Sequence, residues 1–323
     1  MIKLLDCTLR DGGYINDWNF GEETIKGISS ALIDAGVDFI EMGFIEEGIK
    51  VDANRSIYPL SFSSSDSLVE FPKESKVLGM IDLSKGVPKE IPSCSESPFD
   101  GIRLMLKKDA IKETVELCKK LKDLGYDTFM QPVSITSYSD DELKELLKLV
   151  NEVHPQGVYI VDTYGLLHPK EVKDLFNVFD EILDADITIG YHGHNNLQLA
   201  YANAIEFLSI KTERDRIVDG SLYGMGRTAG NPPTEMVAPY MNQICGGKYD
   251  IGIILDAIES YVAPLRGEIT WGYNLYNFIA AYMKCHPKYV EELFAAGKKP
   301  SQILAILGGI PSEKKLVFDK TVL

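Results

Sequence analysis

The stretch VYIVDTYGLLHPKEVKDLFNVFDEILDADITIGYH, residues 158–192, holds the pattern that decides the fold. It begins with an apolar, β-branched run at 158–163 and ends with a second one at 187–192, and both are typical of buried strands. Between them Pro169 stands where a first-turn proline belongs. The apolar face of the helix that it begins comprises Val172, Leu175, Phe176 and Phe179. The stretch therefore predicts one strand–helix–strand unit of a parallel sheet.

The same alternation continues outward on both sides of this unit. Predicted strands lie at 2–7, 39–44, 77–81, 101–105, 128–133, 158–163, 187–192 and 216–220. Eight such units predict an α/β protein, and eight strands are the number that closes a (β/α)8 TIM barrel; an open doubly wound sheet is the alternative. The serine-rich residues 46–73 are expected to form an elaborated loop and a helix after the second strand.

The pattern changes near Tyr249, where strands give way to helical periodicity interrupted by Gly and Pro. These helical patterns lie at 251–262, 275–283, 288–295 and 301–307. We therefore predict a (β/α)8 barrel over residues 1–245 and a helical C-terminal extension over residues 246–323.

The composition disfavours several classes of partner. The chain has 323 residues, of which 45% are hydrophobic and 25% charged, as in ordinary globular proteins. Its formal net charge of −15 disfavours binding to nucleic acid or to an anionic membrane. No apolar run reaches the ~20 residues of a membrane span, and Asp6 comes too early for a secretory signal. Five cysteines, an odd number, favour a reducing cytoplasm over a disulfide framework.

The clearest chemical motif is GYHGHNN at 190–196, where the seventh predicted strand ends. Side chains of a strand alternate between its faces, so His192 and His194 point the same way and could bind one divalent cation. The alternative is a pair of hydrogen-bonded polar residues at a strand end. In a TIM barrel this end of the strand lies at the catalytic face, which favours metal binding.

A second motif, DCTLRDGG at 6–13, leaves the first strand as a charged, glycine-containing turn. Barrel closure brings it near the last strands, so Asp11 could complete a cation site with His192 and His194. Arg10 would then place a positive charge beside the ligand, although an Arg10–Asp11 pair is the simpler interpretation. Four more charged residues in or at the ends of strands either pair inside the barrel or face the site: Glu41, Arg103, Asp162 and Asp219.

The segment GMGRTAGN at 224–231 follows the eighth strand, where barrels often build anion sites. It is not a dinucleotide-binding fingerprint, because Ala229 occupies the last glycine position of G-x-G-x-x-G. Its place after the last strand, rather than in a first βαβ unit, also excludes that interpretation.

Together these segments resemble the signatures of the DRE-TIM metallolyase superfamily. The matching segments are DCTLRDG at 6–12, FIEMGF at 39–44, DTYG at 162–165, HGHNN at 192–196 and GMGRTAGN at 224–231. They occur in the order of the superfamily and on the expected strands, over about residues 1–240. Within the superfamily the chain is most similar to the 4-hydroxy-2-oxovalerate aldolase branch.

The resemblance implies an aldolase or lyase that cleaves or forms a carbon–carbon bond of a 4-hydroxy-2-oxo acid, through a pyruvate enolate held by a divalent metal. The implied ligands of one Mn²⁺ or Mg²⁺ are Asp11, His192 and His194, with Asn231 as a further candidate. The implied substrate contacts are Arg10, Glu41 and Thr163. The partners are then a 2-oxo acid and an aldehyde, and both a homodimer and a dehydrogenase partner are compatible with the branch.

One position departs from the pattern of the aldolase branch. Where those enzymes carry a histidine base three residues after the metal-binding aspartate, this chain has Tyr14. Tyrosine has an ordinary pKa of about 10 and is a poor base at neutral pH. We expect Arg10 and Tyr14 to be catalytic and leave the general base open, with Tyr273 and Tyr276 as alternatives. A different substrate would also account for the change.

Three other functions are compatible with these motifs. An acyl-CoA lyase or synthase of the HMG-CoA lyase or isopropylmalate synthase type belongs to the same superfamily. An Asp/His/His set also forms the facial triad of ferrous oxygenases, which the (β/α)8 pattern disfavours. The third is a non-catalytic barrel that keeps the metal site, since Tyr14 replaces the expected base.

Overall fold

In the computed structural model, which describes residues 1–59, 75–86 and 90–323, eight parallel strands close into a barrel. The strands of the sheet are β1 (Ile2–Asp6), β2 (Phe39–Ile45), β3 (Ile57–Tyr58), β4 (Lys76–Ile81), β5 (Gly101–Leu106), β6 (Asp127–Pro132), β7 (Gly157–Asp162), β8 (Thr188–Gly193) and β9 (Arg216–Gly220). The short β3 pairs with β2 beside the barrel. The predicted (β/α)8 fold and its eight strands are confirmed, and each strand end lies within one residue of its predicted position.

Strand β1 closes the barrel by pairing with β9 on one side and with β2 on the other. The β1–β2 ladder registers two residue pairs, Leu5 with Phe39 and Asp6 with Ile40. The β6–β7 ladder also registers two, whereas β5–β6 and β7–β8 each register six. Because all eight strands are parallel, their carboxyl ends and the loops that follow them meet at one rim.

The strands are buried on both faces, which is why they appear in the sequence as nearly continuous apolar runs. Inside the barrel, the apolar residues are Leu5, Cys7, Phe39, Leu78, Phe129, Tyr159, Val161 and Ile217. A larger core lies between the sheet and the helices, and it includes Val172, Phe176 and Phe179 from the predicted helix face.

Helices connect the strands and cover the outside of the sheet. Their bounds are α1 (Thr8–Asp11), α2 (Gly13–Asn16), α3 (Glu22–Asp34), α4 (Ile111–Asp123), α5 (Asp140–Val153), α6 (Pro169–Ile182), α7 (Ala200–Ser209) and α8 (Thr234–Ile244). Local chemistry fixes where they begin. At the start of α5, the Ser139 hydroxyl accepts from the Glu142 N–H at 3.3 Å, and the Glu142 carboxylate accepts from the Ser139 N–H at 2.8 Å.

The predicted helical C-terminal extension is confirmed. Its helices are α9 (Ile251–Ala257), α10 (Ala263–Glu268), α11 (Leu275–Tyr282), α12 (Pro287–Ala295) and α13 (Pro300–Gly308), with a π-helical turn at Ile258–Val262. Ile254, Val262 and Trp271 join the barrel core, whereas α11 to α13 share a core of their own that includes Tyr289 and Leu307. The division of the chain at 245/246 stays a prediction.

The loop and helix predicted over 46–73 fall largely outside the described residues; their described part contains β3. At the other end of the chain, Leu316 packs with Tyr164 in the loop after β7, so the extension touches the rim of the barrel. In the described ranges, the helices are all too short or too polar to cross a membrane.

Candidate active site

The segment after β1 enters the mouth of the barrel as two short helices rather than the predicted turn. The Asp6 carboxylate accepts from the Thr8 N–H at 2.9 Å, and the Cys7 carbonyl accepts from the Asp11 N–H at 2.7 Å, so the chain turns immediately into α1. Gly13 then packs beneath Trp18, where a Cβ would lie 1.9 Å from the indole. The indole N–H donates to the Arg10 carbonyl at 2.7 Å, which ties this turn to the rim.

Asp11 meets both histidines of β8 and its following loop at this rim. One donor atom each of Asp11, His192 and His194 can be chosen so that all three lie within 4.8 Å of one another. The three side chains are buried, and they line one cavity together with Arg10. The structure thus brings the predicted ligand set together, and the set has the composition that a divalent cation binds.

The electrostatics of these three residues suit a cation. Burial lowers the pKa of His194 to about 3, so its imidazole is neutral and can offer a lone pair. Its Nδ1 is buried and has no hydrogen-bond partner. Although burial opposes it, Arg10 and the two histidines hold the pKa of Asp11 well below its usual range, so this carboxylate is ionised. An unpartnered nitrogen beside a carboxylate is the arrangement that a bound cation satisfies.

His192 is held by a carboxylate behind it. Its Nδ1–H donates to Asp219 Oδ2 at 2.9 Å, which leaves Nε2 as the nitrogen available to a ligand. Such a carboxylate–histidine pair fixes the ring orientation and raises the basicity of the ligand nitrogen. Asp219 also accepts a hydrogen bond from Arg103 at 2.6 Å, so the carboxylate that orients His192 is itself held in place.

A second donor set, Cys7 with His192 and Asp219, also lies within 4.8 Å. Its members are already committed to other partners. The Cys7 thiol donates to the Gly220 carbonyl at 3.3 Å, and burial raises the pKa of this thiol well above its usual value. Because only a thiolate is a good metal ligand, the structure favours the set that contains Asp11.

Asn231 and the glycine-rich loop hold Asp11 from the other side. The Asn231 amide N–H donates to Asp11 Oδ2 at 2.7 Å, and the Arg227 main-chain N–H donates to the same oxygen at 3.0 Å. Asn231 is thus placed as a partner of the aspartate, while its own amide oxygen is buried without a hydrogen-bond partner. The role of Asn231 as a further ligand stays a prediction.

Gly226 leaves the space in which Asp11 and Asn231 meet, and this provides a test. A Cβ at Gly226 would lie 2.1 Å from Asn231 Nδ2 and 2.6 Å from Asp11 Oδ2. We expect Gly226→Ala to weaken Mn²⁺ binding about 10- to 100-fold, the usual effect of disturbing the partners of metal ligands. Electron paramagnetic resonance of free Mn²⁺ during titration measures this. Gly308→Ala, at a position with open space around it, should bind Mn²⁺ as the parent does; equal binding by both variants would contradict the site.

Glu41 lies behind Arg10 rather than in the cavity wall. Its Oε2 accepts from Arg10 Nε at 2.7 Å and from Arg103 at 2.8 Å, and it is fully buried. Arg10 also donates to Asp11 Oδ1 at 2.5 Å. Glu41 therefore orients the Arg10 guanidinium, whose remaining N–H groups are available to a ligand. Direct contact of Glu41 with substrate stays a prediction.

Thr163 and Tyr14 both line the cavity. The Thr163 hydroxyl accepts from the Ser134 N–H at 2.7 Å, and the adjacent Asp162 carboxylate, whose pKa burial raises to about 6, accepts from the Leu166 and Leu167 N–H groups. Tyr14 contacts Trp18 edge-on, and burial raises the pKa of its phenol above the usual value. The Tyr14 phenol is therefore un-ionised at neutral pH.

Several residues that build the site were not predicted from the sequence. Asn196 Oδ1 accepts from the Thr228 hydroxyl at 2.7 Å and from the Ala229 N–H at 3.1 Å, which joins the histidine motif to the glycine-rich loop. Arg227 and Gln131 line the cavity. The position of Arg227 in the loop after the last strand could have indicated that it lies at the site. Nothing in the sequence indicated Gln131, because it is an ordinary polar residue in an apolar run.

Comparison with known proteins identifies the family of the chain. The HMGL-like family profile matches residues 93–259, just over half of the chain. A curated protein from Thermomicrobium roseum, named 4-hydroxy-2-oxovalerate aldolase, is 28% identical over 320 residues that cover 95% of this chain and 86% of its own length.

Solved structures share the fold. The N-terminal domain of a proposed aldolase from Bacteroides vulgatus superposes with a TM-score of 0.78 and 25% identity, covering 94% of this chain and 99% of that one. The HMG-CoA lyase of Brucella melitensis gives 0.61 at 15% identity, covering 82% and 98%. The chain therefore belongs to the HMGL-like family and is a carbon–carbon lyase of the DRE-TIM metallolyase superfamily, in the branch of the 4-hydroxy-2-oxovalerate aldolases.

Proposed function

We propose that this protein is a divalent-metal-dependent aldolase that interconverts a 4-hydroxy-2-oxo acid with pyruvate and an aldehyde. The observation that carries the proposal is the convergence of Asp11, His192 and His194 beside the Arg10 guanidinium at the carboxyl rim of the barrel. The relatives named 4-hydroxy-2-oxovalerate aldolase support the substrate class. Five free thiols suit a reducing cytoplasm, which we propose as the compartment.

The cation would be Mn²⁺ or Mg²⁺, held by Asp11, His192 and His194. When bound, it would supply Lewis-acid stabilisation of the negative charge that develops on the 2-oxo acid. Arg10 is fixed by Glu41 and Asp11 before any substrate arrives, so its free N–H groups can donate to the developing enolate oxygen without reorganisation. Thr163, which lines the cavity, would orient the substrate carboxylate.

Tyr14 supplies the proton at the other half of the substrate. In the direction of bond formation, the aldehyde oxygen becomes an alkoxide, and the Tyr14 phenol donates its proton to that oxygen. In cleavage, the C3–C4 bond breaks, its electron pair stays on C3, and the 4-hydroxyl proton moves to the Tyr14 phenolate. Because burial raises the pKa of this phenol, little phenolate is present at neutral pH, and cleavage should accelerate as the pH rises.

A turnover assay tests the proposal directly. The metal-free protein is supplied with Mn²⁺ or Mg²⁺ and a panel of 4-hydroxy-2-oxo acids, and pyruvate release is measured. We expect release that depends on the cation and stops on chelation. Calorimetric titration with pyruvate and with acetyl-CoA separates the acyl-CoA alternative, since tight binding of CoA alone, with no pyruvate released from any 4-hydroxy-2-oxo acid, would refute the aldolase.

Replacing Tyr14 by phenylalanine tests its role as the proton-transfer group. The variant keeps the ring contacts with Trp18 and Phe44 but loses the hydroxyl, so turnover should fall about 10²-fold or more while Mn²⁺ affinity is retained. The rise of cleavage rate with pH should disappear in this variant, which a merely structural role would not explain. Tyr276→Phe changes an exposed ring that packs on Phe294 in the extension and should keep the parent profile. If Tyr276→Phe lost turnover and Tyr14→Phe kept it, the proton-transfer group would be Tyr276 in the extension.

A further inference from the structure

Arg227 lines the cavity, and its guanidinium stacks on Tyr14, which lines the same cavity. Its main-chain N–H donates to Asp11 Oδ2 at 3.0 Å, so its backbone is tied to a residue of the proposed cation site. Its guanidinium carbon lies 5.4 Å from the centroid of the Tyr14 ring. Among the side chains that the structure describes, no carboxylate lies within ion-pair distance of this guanidinium.

The other arginines at the site differ in this respect. Arg10 pairs with Asp11 and Glu41, and Arg103 pairs with Glu41 and Asp219. Their charges are thus balanced before a ligand arrives. The chain has 48 acidic and 33 basic residues, so acidic partners are plentiful. An arginine that lines a cavity without one is therefore a candidate for binding an anionic ligand.

The groups around Arg227 leave its charge unbalanced. It acts electrostatically on Tyr14, His194 and His286. An imidazole is either neutral or positively charged, so neither histidine can balance the charge of the guanidinium. An uncompensated guanidinium in partly buried surroundings is the usual recognition group for a carboxylate or a phosphate, because its planar N–H groups match two anionic oxygens.

The position of Arg227 shows which part of a substrate it would meet. In the proposed function, the cation and Arg10 bind the 2-oxo acid end of the substrate. Tyr14 lies at the end where the 4-hydroxyl reacts, and Arg227 stacks on the Tyr14 ring. The far end of a 4-hydroxy-2-oxo acid, beyond its 4-hydroxyl, is therefore the part that would approach the Arg227 guanidinium.

We propose that Arg227 binds a second anionic group, a carboxylate or a phosphate, on the half of the substrate that leaves as the aldehyde. The inference rests on the proposed aldolase function and narrows its substrate class. The C3–C4 bond of a doubly anionic 4-hydroxy-2-oxo acid breaks, its electron pair stays on C3 to give pyruvate after protonation, and the 4-hydroxyl proton moves to Tyr14. The second product is an anionic aldehyde such as glyoxylate or a phosphorylated aldehyde.

A matched pair of substrates tests this specificity. 4-Hydroxy-2-oxoglutarate and 4-hydroxy-2-oxovalerate differ by a carboxylate in place of a methyl group, and 4,5-dihydroxy-2-oxopentanoate 5-phosphate provides the phosphate arm. We expect kcat/KM to favour at least one anionic substrate over 4-hydroxy-2-oxovalerate by about 10-fold or more. The larger of the two ratios identifies the anion. A parent enzyme that favours neither anionic substrate would overturn the inference while leaving the aldolase function intact.

Arg227→Gln removes the charge and keeps a planar polar side chain. The preference for the anionic substrate should fall by about 10- to 100-fold in this variant. Arg266→Gln is the matched control, because Arg266 stacks on Tyr223 and Trp271 outside the cavity, and its preference should equal that of the parent. An equal loss on anionic and neutral substrates in Arg227→Gln would instead mean that Arg227 acts through Tyr14, which would overturn the inference.

Binding of unreactive acids separates the two proposals. 2-Oxoglutarate and 2-oxovalerate lack the 4-hydroxyl and cannot be cleaved, yet they differ by the same carboxylate. With the Mn²⁺-loaded protein, calorimetry should show 2-oxoglutarate binding about 10-fold or more tightly, and Arg227→Gln should abolish the difference. If this pattern appears but no 4-hydroxy-2-oxo acid is cleaved, anion recognition by Arg227 stands and the aldolase proposal fails. Equal binding of the two acids by the parent would overturn anion recognition.

Discussion

Replacing His194 by alanine should eliminate tight Mn²⁺ binding and reduce turnover by about 10³-fold or more. His194 Nδ1 is buried without a hydrogen-bond partner, so the substitution removes a ligand without breaking an internal hydrogen bond. The loss of Mn²⁺ affinity should be larger than the roughly 10- to 100-fold loss that follows when a residue hydrogen-bonded to a metal ligand is removed. Turnover falls because Lewis-acid stabilisation of the developing charge is worth several kcal/mol, and each 1.4 kcal/mol is about tenfold in rate.

The measurement for His194→Ala is Mn²⁺ stoichiometry and affinity, followed by turnover at saturating Mn²⁺. His154→Ala is the control, because His154 lies at the surface beside Asp184 and Asp186 and should leave both quantities unchanged. A His194→Ala protein that binds one Mn²⁺ with the parent's affinity would refute the ligand set on which the proposed function depends.

Replacing Arg10 by alanine should lower kcat by about 10²- to 10³-fold while the protein still binds Mn²⁺. This is the scale of removing one preorganised donor from a developing oxyanion. The cation ligands all remain, although Asp11 loses the Arg10 hydrogen bond at 2.5 Å. The loss should appear mainly in kcat, because Arg10 donates more strongly to the enolate oxygen than to the ground-state carbonyl.

Stability needs a separate measurement for this variant. Arg10 is buried between Asp11 and Glu41, and removing one partner of such a cluster costs about 3–5 kcal/mol. Arg10→Lys keeps the charge without the planar fork, should fold more stably, and should still be slower than the parent. Arg55→Ala breaks an exposed pair with Asp17 and should leave kcat unchanged. Normal turnover in a folded, Mn²⁺-bound Arg10→Ala would remove Arg10 from the mechanism.

The sequence was most informative where local pattern and tertiary burial agree. Parallel strands buried on both faces must be apolar along their whole length, so all eight were located to within a residue. The face of α6 was predicted because its apolar residues repeat with the period of a helix. The proximity of Asp11 to the two histidines could be predicted from the strand-end position of the histidines and from barrel closure, which brings the segment after β1 beside β8.

Long-range polar contacts were not predictable from pattern. The pattern did not show that Glu41 accepts from Arg10 and Arg103, which lie on other strands and loops, and its contact with substrate stays a prediction. The segment at 6–13 was expected to be a turn, but it forms short helices, at whose start the Asp6 carboxylate accepts from the Thr8 N–H and in which Gly13 packs tightly on Trp18. Such outcomes depend on which side chain occupies the facing position, and a single sequence does not contain that information.

The two shortest ladders of the barrel, β1–β2 and β6–β7, divide it into half-barrels of four strands each. The proposed cation ligands all belong to the half made of β7, β8, β9 and β1, with Asp11 directly following β1. A cation would therefore not join the halves. The buried ion pairs of Arg10 with Glu41 and of Arg103 with Asp219 do connect the two half-barrels, and they therefore hold the barrel closed. These crossing pairs use none of the three proposed ligands, so we expect the barrel to keep its fold when the proposed cation is removed.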